Sequence, residues 1–187
     1  MGTDRKWATE ILADGFERVR EGVEHVLLGL SPEHLLQRPG PHANHIAWLV
    51  WHLTRVEDDH IAALAHVLEG NDPPASRTRE VPPGQVWAEW RDQFALPFGE
   101  WATGYGQSDA ELDAFPPTAA ETLRGYHEAT HARTLAVLDS LGDDDLGRVV
   151  DLRWNPPVTA AVRLMSILND TTQHLGQASY VRGLILG

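Results

Sequence analysis

The chain has 187 residues, no cysteine and a formal net charge of −12. Its length fits a single domain, 1–187, with a sizeable core, and the lack of cysteine excludes disulfides, thiolate metal sites and a thiol nucleophile of its own. One lysine, Lys6, against fourteen arginines, with no basic cluster, argues against a nucleic-acid partner, because neutralising phosphates takes clustered Lys and Arg.

The N-terminal segment has mixed charge and helical spacing and lacks the apolar stretch of a secretory signal. No apolar run approaches the roughly 20 residues that span a bilayer. The expectation is a cytoplasmic protein with no membrane partner. The first long helix is expected from about Asp4 to Leu30, with Ile11, Leu12, Phe16, Val19, Val23, Val26 and Leu27 on one broad stripe. "LSPEHLLQRPGPHAN" supplies a stop, a short turn and an N-cap candidate, Asn44. The second long helix follows from about His45 to Glu69. "NDPPASRTREVPPG" is a proline-rich loop, and "QVWAEWRDQFALPFGEWATGYG" reads as shorter helical pieces broken at Pro97 and the glycines. This Trp-rich stretch is suited to covering the bundle or joining a partner.

The third long helix is expected from about Ala119 to Leu141, stopped by Gly142. A connector with a short extended piece at 149–153 leads to the fourth, which begins after Thr159, an N-cap candidate, and runs to about Leu186. Four long amphipathic helices with crossover loops and short extra helices predict an all-α four-helix bundle. In such bundles, cofactor sites are built from inward side chains on facing helices.

The third helix carries "HEATH", His127 to His131, which matches the H-E-x-x-H signature of zinc proteases. On a wheel of about 100° per residue, His127 falls on the inner stripe of Leu123, Thr130, Thr134 and Val137. Glu128 points to solvent. No glutamate follows Glu128 to serve as a third ligand, and Thr134 and Val137 stand where the extended motif needs glycine and histidine. A protease is therefore a distant reading, and His127 is expected to pack inside or to line a pocket.

A second group of residues offers an alternative. "WLVWHLTRVEDDH" puts His52 on the shoulder of the second helix's core face, with Asp59 seven residues on. "LNDTTQHLGQ" puts Asp170 and His174 one turn apart on the fourth helix. Three such ligands from two facing helices suit one divalent ion, zinc, nickel or iron. They leave a position open for water or substrate, as catalytic sites do.

The segments "ANHIAWLVWHLTRVEDDHIA" and "WNPPVTAAVRLMSILNDTTQHLGQASYVRGLI" resemble the DinB-like superfamily, which includes bacillithiol and mycothiol S-transferases and mycothiol-dependent maleylpyruvate isomerase. The string H-x-G-Q-x-x-Y-x-R-G ends the last helix of many members. The resemblance implies a four-helix bundle with one metal ion on the second and fourth long helices, His52 and His174 taking two histidine places. Asp170 stands where many members carry a further histidine, a departure that changes the ligand charge. The resemblance also implies Gln177 as a pocket residue of the family string, a low-molecular-weight thiol as cosubstrate, a small electrophilic substrate, and a homodimer. From their helix positions Asp59 is expected to orient a ligand, His127 to line the pocket, and Trp48 to flank His52. The arginine bias suits a GC-rich genome; for an actinobacterial one, mycothiol is the natural thiol. Two rivals remain: a hydrolase using a metal-bound water, and a non-enzymatic ligand-binding or sensor bundle.

Overall fold

The computed structural model describes residues 7–76 and 81–187. Asp4, Lys6 and part of the proline-rich loop lie outside the described residues. Helix α1 is Trp7–Leu27, α2 Pro32–Leu36, α3 Ile46–Leu68, α4 Trp87–Phe94, α5 Asp109–Asp113, α6 Ala120–Ser140 and α7 Ala160–Leu186. A 3-10 turn over Asp143–Gly147 and a two-stranded antiparallel pair, β1 Val149–Asp151 with β2 Val158–Thr159, join α6 to α7. The expected all-α bundle is what forms. The extended piece near residue 149 is real, and the sequence reading lacked its partner strand. Among the described residues no helix is long and apolar enough to cross a membrane.

Two apolar clusters set the helix directions. One joins Val19 to Leu27 of α1, Ile46 to Leu53 of α3, Leu123 and Tyr126 of α6, and Ala178 and Val181 of α7. The other joins Leu12 and Phe16, Ile61 to Val67, Val137 to Leu141, and Ala160 to Ile167. So α3 and α6 run parallel, α1 and α7 run parallel, and the two pairs oppose each other. Helix α3 packs against α6 and α7, and α1 closes the square from the far side. The connections 28–45 and 141–159 each turn at one end of the bundle. The connection from α3 to α6 must travel its whole length, because parallel neighbours need a crossover. This crossover covers the bundle, as Trp87, Phe94, Phe115 and Leu112 join the first cluster.

The helix ends follow from local chemistry. Thr159 caps α7, its hydroxyl accepting from Val162 N at 3.4 Å. At α3 the cap is His45, not the expected Asn44. His45 is extended, and its Nδ1 accepts from Trp48 N at 3.0 Å. Its Nε2–H donates to Leu112 O at 3.2 Å, so α5 fixes the tautomer that makes an imidazole an acceptor at a helix start.

Between the two apolar clusters lies a polar layer of Thr54, Arg55, Glu57 and Asp58 on α3 and His127, Thr130, His131 and Thr134 on α6, all buried. "HEATH" belongs to this layer. Glu128 is exposed, and His131 Nε2 meets Glu17 Oε2 at 2.9 Å. The three positions therefore do not share one site.

Candidate metal centre

Helix α3 turns His52 toward α7, and α7 presents Asp170 and His174 one turn apart on the facing side. One ligand atom from each of the three lies within 4.8 Å of the other two, the one such group of histidine and carboxylate side chains among the described residues. His52 is 4% exposed, while the side chains of His174 and Asp170 are 19% and 38% exposed. The group is thus rooted in the bundle and open on the α7 side.

Each histidine is held from behind. His52 Nδ1–H donates to the Thr103 carbonyl at 2.5 Å, and His174 Nδ1–H donates to Gln177 Oε1 at 3.2 Å. In the neutral form of each ring this leaves Nε2 as the free lone pair, the arrangement by which outer partners orient metal-binding histidines. Burial holds the His52 imidazole below its ordinary value, outweighing the Thr103 carbonyl, which favours the charged form. Neutral imidazole is the ligand form. His174 Nε2 and Asp170 Oδ1 stand 3.7 Å apart, too far for a hydrogen bond. Asp170 Oδ2 is buried and has no protein partner. A half-buried carboxylate with an orphan oxygen, beside two free imidazole nitrogens, fits a divalent cation. The donor set of two nitrogens and an oxygen suits zinc, nickel or ferrous iron.

The sequence-predicted residues divide into two groups. His52, Asp170 and His174 come together, with Gln177 behind His174 and Trp48 stacked on His52 at 4.6 Å between ring centroids and 11° between planes. Asp59 and His127 do not join them. Asp59 accepts from Gln85 Nε2 at 2.8 Å and faces His60. His127 is enclosed in the α3–α6 seam, its Nδ1 3.2 Å from Thr54 Oγ1, and burial, with His131 and Arg20, pushes its pKa down to about 3.

Sequence reasoning missed the contribution of the crossover. Thr103 supplies the carbonyl behind His52, and Gln107 accepts from Trp48 Nε1 at 2.6 Å. Gly104 has φ +97°, and a Cβ there would sit 2.8 Å from His52 Nδ1. The signal is the "TGYGQ" stretch, two glycines bracketing a tight turn, which by pattern alone marks only a helix break.

The matches to known proteins agree with this fold. Residues 15–178 match the family model of the DinB superfamily. The chain belongs to the DinB superfamily. The crystal structure of a conserved protein from Enterococcus faecalis is similar, with a TM-score of 0.80 and 29% identity over 96% of this chain and 97% of that one. A comparison with curated proteins finds no match. Membership of the superfamily accounts for the all-α bundle.

Proposed function

We propose that this superfamily member is a cytoplasmic, divalent-metal-dependent thiol S-transferase that joins a low-molecular-weight thiol of the mycothiol type to a small electrophile. The observation that carries the reading is the pair of histidines with Nδ1 satisfied and Nε2 free, beside an orphan oxygen of Asp170. A bound divalent ion would supply a Lewis acid that holds a thiol as thiolate near neutral pH. The protein supplies the rest. His52, Asp170 and His174 would hold the ion and leave the α7 side open. Trp48 and the crossover shut water out behind His52. With no cysteine in the chain, the thiol comes from outside. The charge-free outer face of α7, which exposes Val162, Met165, Tyr180 and Leu184, is where this reading places a second copy in a homodimer.

The test is elemental analysis of the native protein beside His52→Ala, Asp170→Ala and His174→Ala, followed by mycothiol addition to the cobalt-loaded protein. Loss of metal in all three variants and a new thiolate-to-cobalt absorption support the reading. Metal retained in all three removes it. Turnover of an acyl substrate without any thiol would assign the same site to hydrolysis instead.

A further inference from the structure

We propose that Gln107 is a positioning residue for the metal centre, acting through Trp48 to hold the plane of the His52 imidazole. The inference rests on the metal reading above and goes beyond it, because it places control of a ligand on α3 in the crossover.

A single hydrogen bond does not fix a ring. The Thr103 carbonyl holds one edge of His52, yet the imidazole could still rotate about that N–H···O direction and swing Nε2 away from Asp170 and His174. The flat stack of Trp48 on His52 removes that rotation. Trp48 also meets His174 edge-on at 6.4 Å, so one indole borders both imidazoles. An indole N–H is a donor only, and in Trp48 it is taken by Gln107 Oε1 at 2.6 Å, a bond that, together with the packing of the indole in the first apolar cluster, holds its plane.

Thr103, Gly104 and Gln107 lie within five residues of one turn, closed by Gln107 N donating to Gly104 O at 3.3 Å. Gly104 lets this turn approach closely, since a Cβ there would also lie 3.0 Å from both Trp48 and Trp51. The turn thus reaches the edge of His52 through one carbonyl and its face through one side chain. A metal-bound imidazole carries part of the ion's charge, and an indole face is the best neutral surface for a cation. The stack therefore favours the loaded state over the empty one.

The test compares Gln107→Met, which keeps the length and removes the acceptor, with Gln107→Glu, which restores an acceptor. Zinc and cobalt affinities are measured by competition with a chelating dye, the cobalt visible spectrum is recorded, and unfolding in urea is followed without metal. Outer partners of a metal ligand are worth about 10- to 100-fold in affinity. The expected result is a loss of about 10-fold in Gln107→Met, a shifted cobalt band, unchanged metal-free stability, and recovery of affinity and band in Gln107→Glu. Unchanged affinity and band in Gln107→Met overturn the proposal, and so does a loss of stability that Gln107→Glu fails to repair. If the wild-type protein takes up no metal, the metal reading falls by itself. The positioning role is then judged on the His52 ring nitrogens by NMR: one Nδ1–H tautomer in the wild type and a mixture in Gln107→Met support it, and identical spectra sink it.

Discussion

Arg55 and Asp58 form an ion pair one turn apart on α3 with almost no access to solvent, their side chains 0% and 1% exposed and their nearest atoms 3.5 Å apart. The pair is the anchor of the crossover. Asp58 also accepts from Val86 N, Trp87 N and the Tyr126 hydroxyl at 2.9, 2.7 and 2.8 Å. Arg55 donates to Gln85 Oε1 and to the Ala102 carbonyl. Removing one member of a buried pair leaves the other charge uncompensated, at a cost of about 3–5 kcal/mol. Asp58→Ala should lose at least that much in urea unfolding, since two backbone N–H groups are orphaned as well. It should also weaken metal binding, because the segment it tethers carries Thr103. A stability loss below about 1 kcal/mol would show that water replaces the pair.

The polar layer makes stability depend on pH in two opposed ways. Glu57 is fully enclosed, with a single Thr134 hydroxyl at 2.6 Å, and burial pushes its pKa from 4.5 up to about 7. Between those values the folded chain holds a proton that the unfolded chain has lost, so stability falls as pH rises, by about 3 kcal/mol in all at roughly 1.4 kcal/mol per unit. His127 is the mirror case. Thr54 Oγ1 donates to Val50 O at 2.7 Å and so accepts from His127 Nδ1–H, which leaves Nε2 bare and buried. Its pKa drops from 6.5 to about 3, and its contribution grows as pH rises through that window. The two slopes oppose each other where the windows overlap. Glu57→Gln should flatten the decline toward neutral pH and be more stable than wild type at pH 8. Identical pH profiles of urea midpoints for the two proteins would count against an enclosed, titrating Glu57.

How much of this is legible in the sequence depends on the range of the interaction. The four long helices are readable because a 3.6-residue period is local, and most of the stripe residues of α1 and α6 are buried. Ile11 is exposed, and Thr9, Tyr126 and Leu138 are buried without being on the stripes. Asp170 and His174 could be paired because i, i+4 neighbours share a face. Asp59 failed as a partner of His52 for a measurable reason. Seven residues bring the helix back to the same side but about 10 Å along its axis, within reach of Gln85. His127 was correctly turned inward, yet a four-helix bundle has several inner seams, and periodicity does not say which one a residue enters. The Thr103, Gly104 and Gln107 contacts were illegible because they depend on where a 51-residue crossover, 69–119, comes to rest on α3.

Packing of α4 on α6 gives a sharper test of the fold. A Cβ at Gly125 would lie 2.4 Å from the Trp90 ring. A helical glycine exchanged for alanine ordinarily gains about 1 kcal/mol. Here the rigid indole must move, and overpacking costs about 1–3 kcal/mol. Gly125→Ala should therefore be destabilising, and Gly125→Ala with Trp90→Leu should recover part of the loss. A gain in stability from Gly125→Ala alone would mean that α4 does not seat on α6 as described.

Asp170 decides what is distinctive about this centre. If His52, Asp170 and His174 hold the ion as proposed, imidazole is a neutral donor and a carboxylate an anionic one, so the carboxylate gives the site a charge that three histidines would not. Asp170→His should retain a divalent ion, because imidazole reaches the same space from the same turn and Oδ2 no longer needs a partner. A less negative site withdraws more charge from whatever occupies its open position, so a water or thiol there should ionise at lower pH. Asp170→Asn keeps the shape and removes the charge, and it should lose affinity for zinc by at least 10-fold. Saturating zinc stabilises a site by about 2.7 kcal/mol at a hundred times its Kd, so the change is readable as a smaller zinc-induced rise in Tm. The decisive comparison is the three proteins side by side. Wild type and Asp170→His should both gain Tm with zinc, and Asp170→Asn should gain much less. Equal gains in all three would mean that the carboxylate is not a ligand and that the ion is held by the histidines alone.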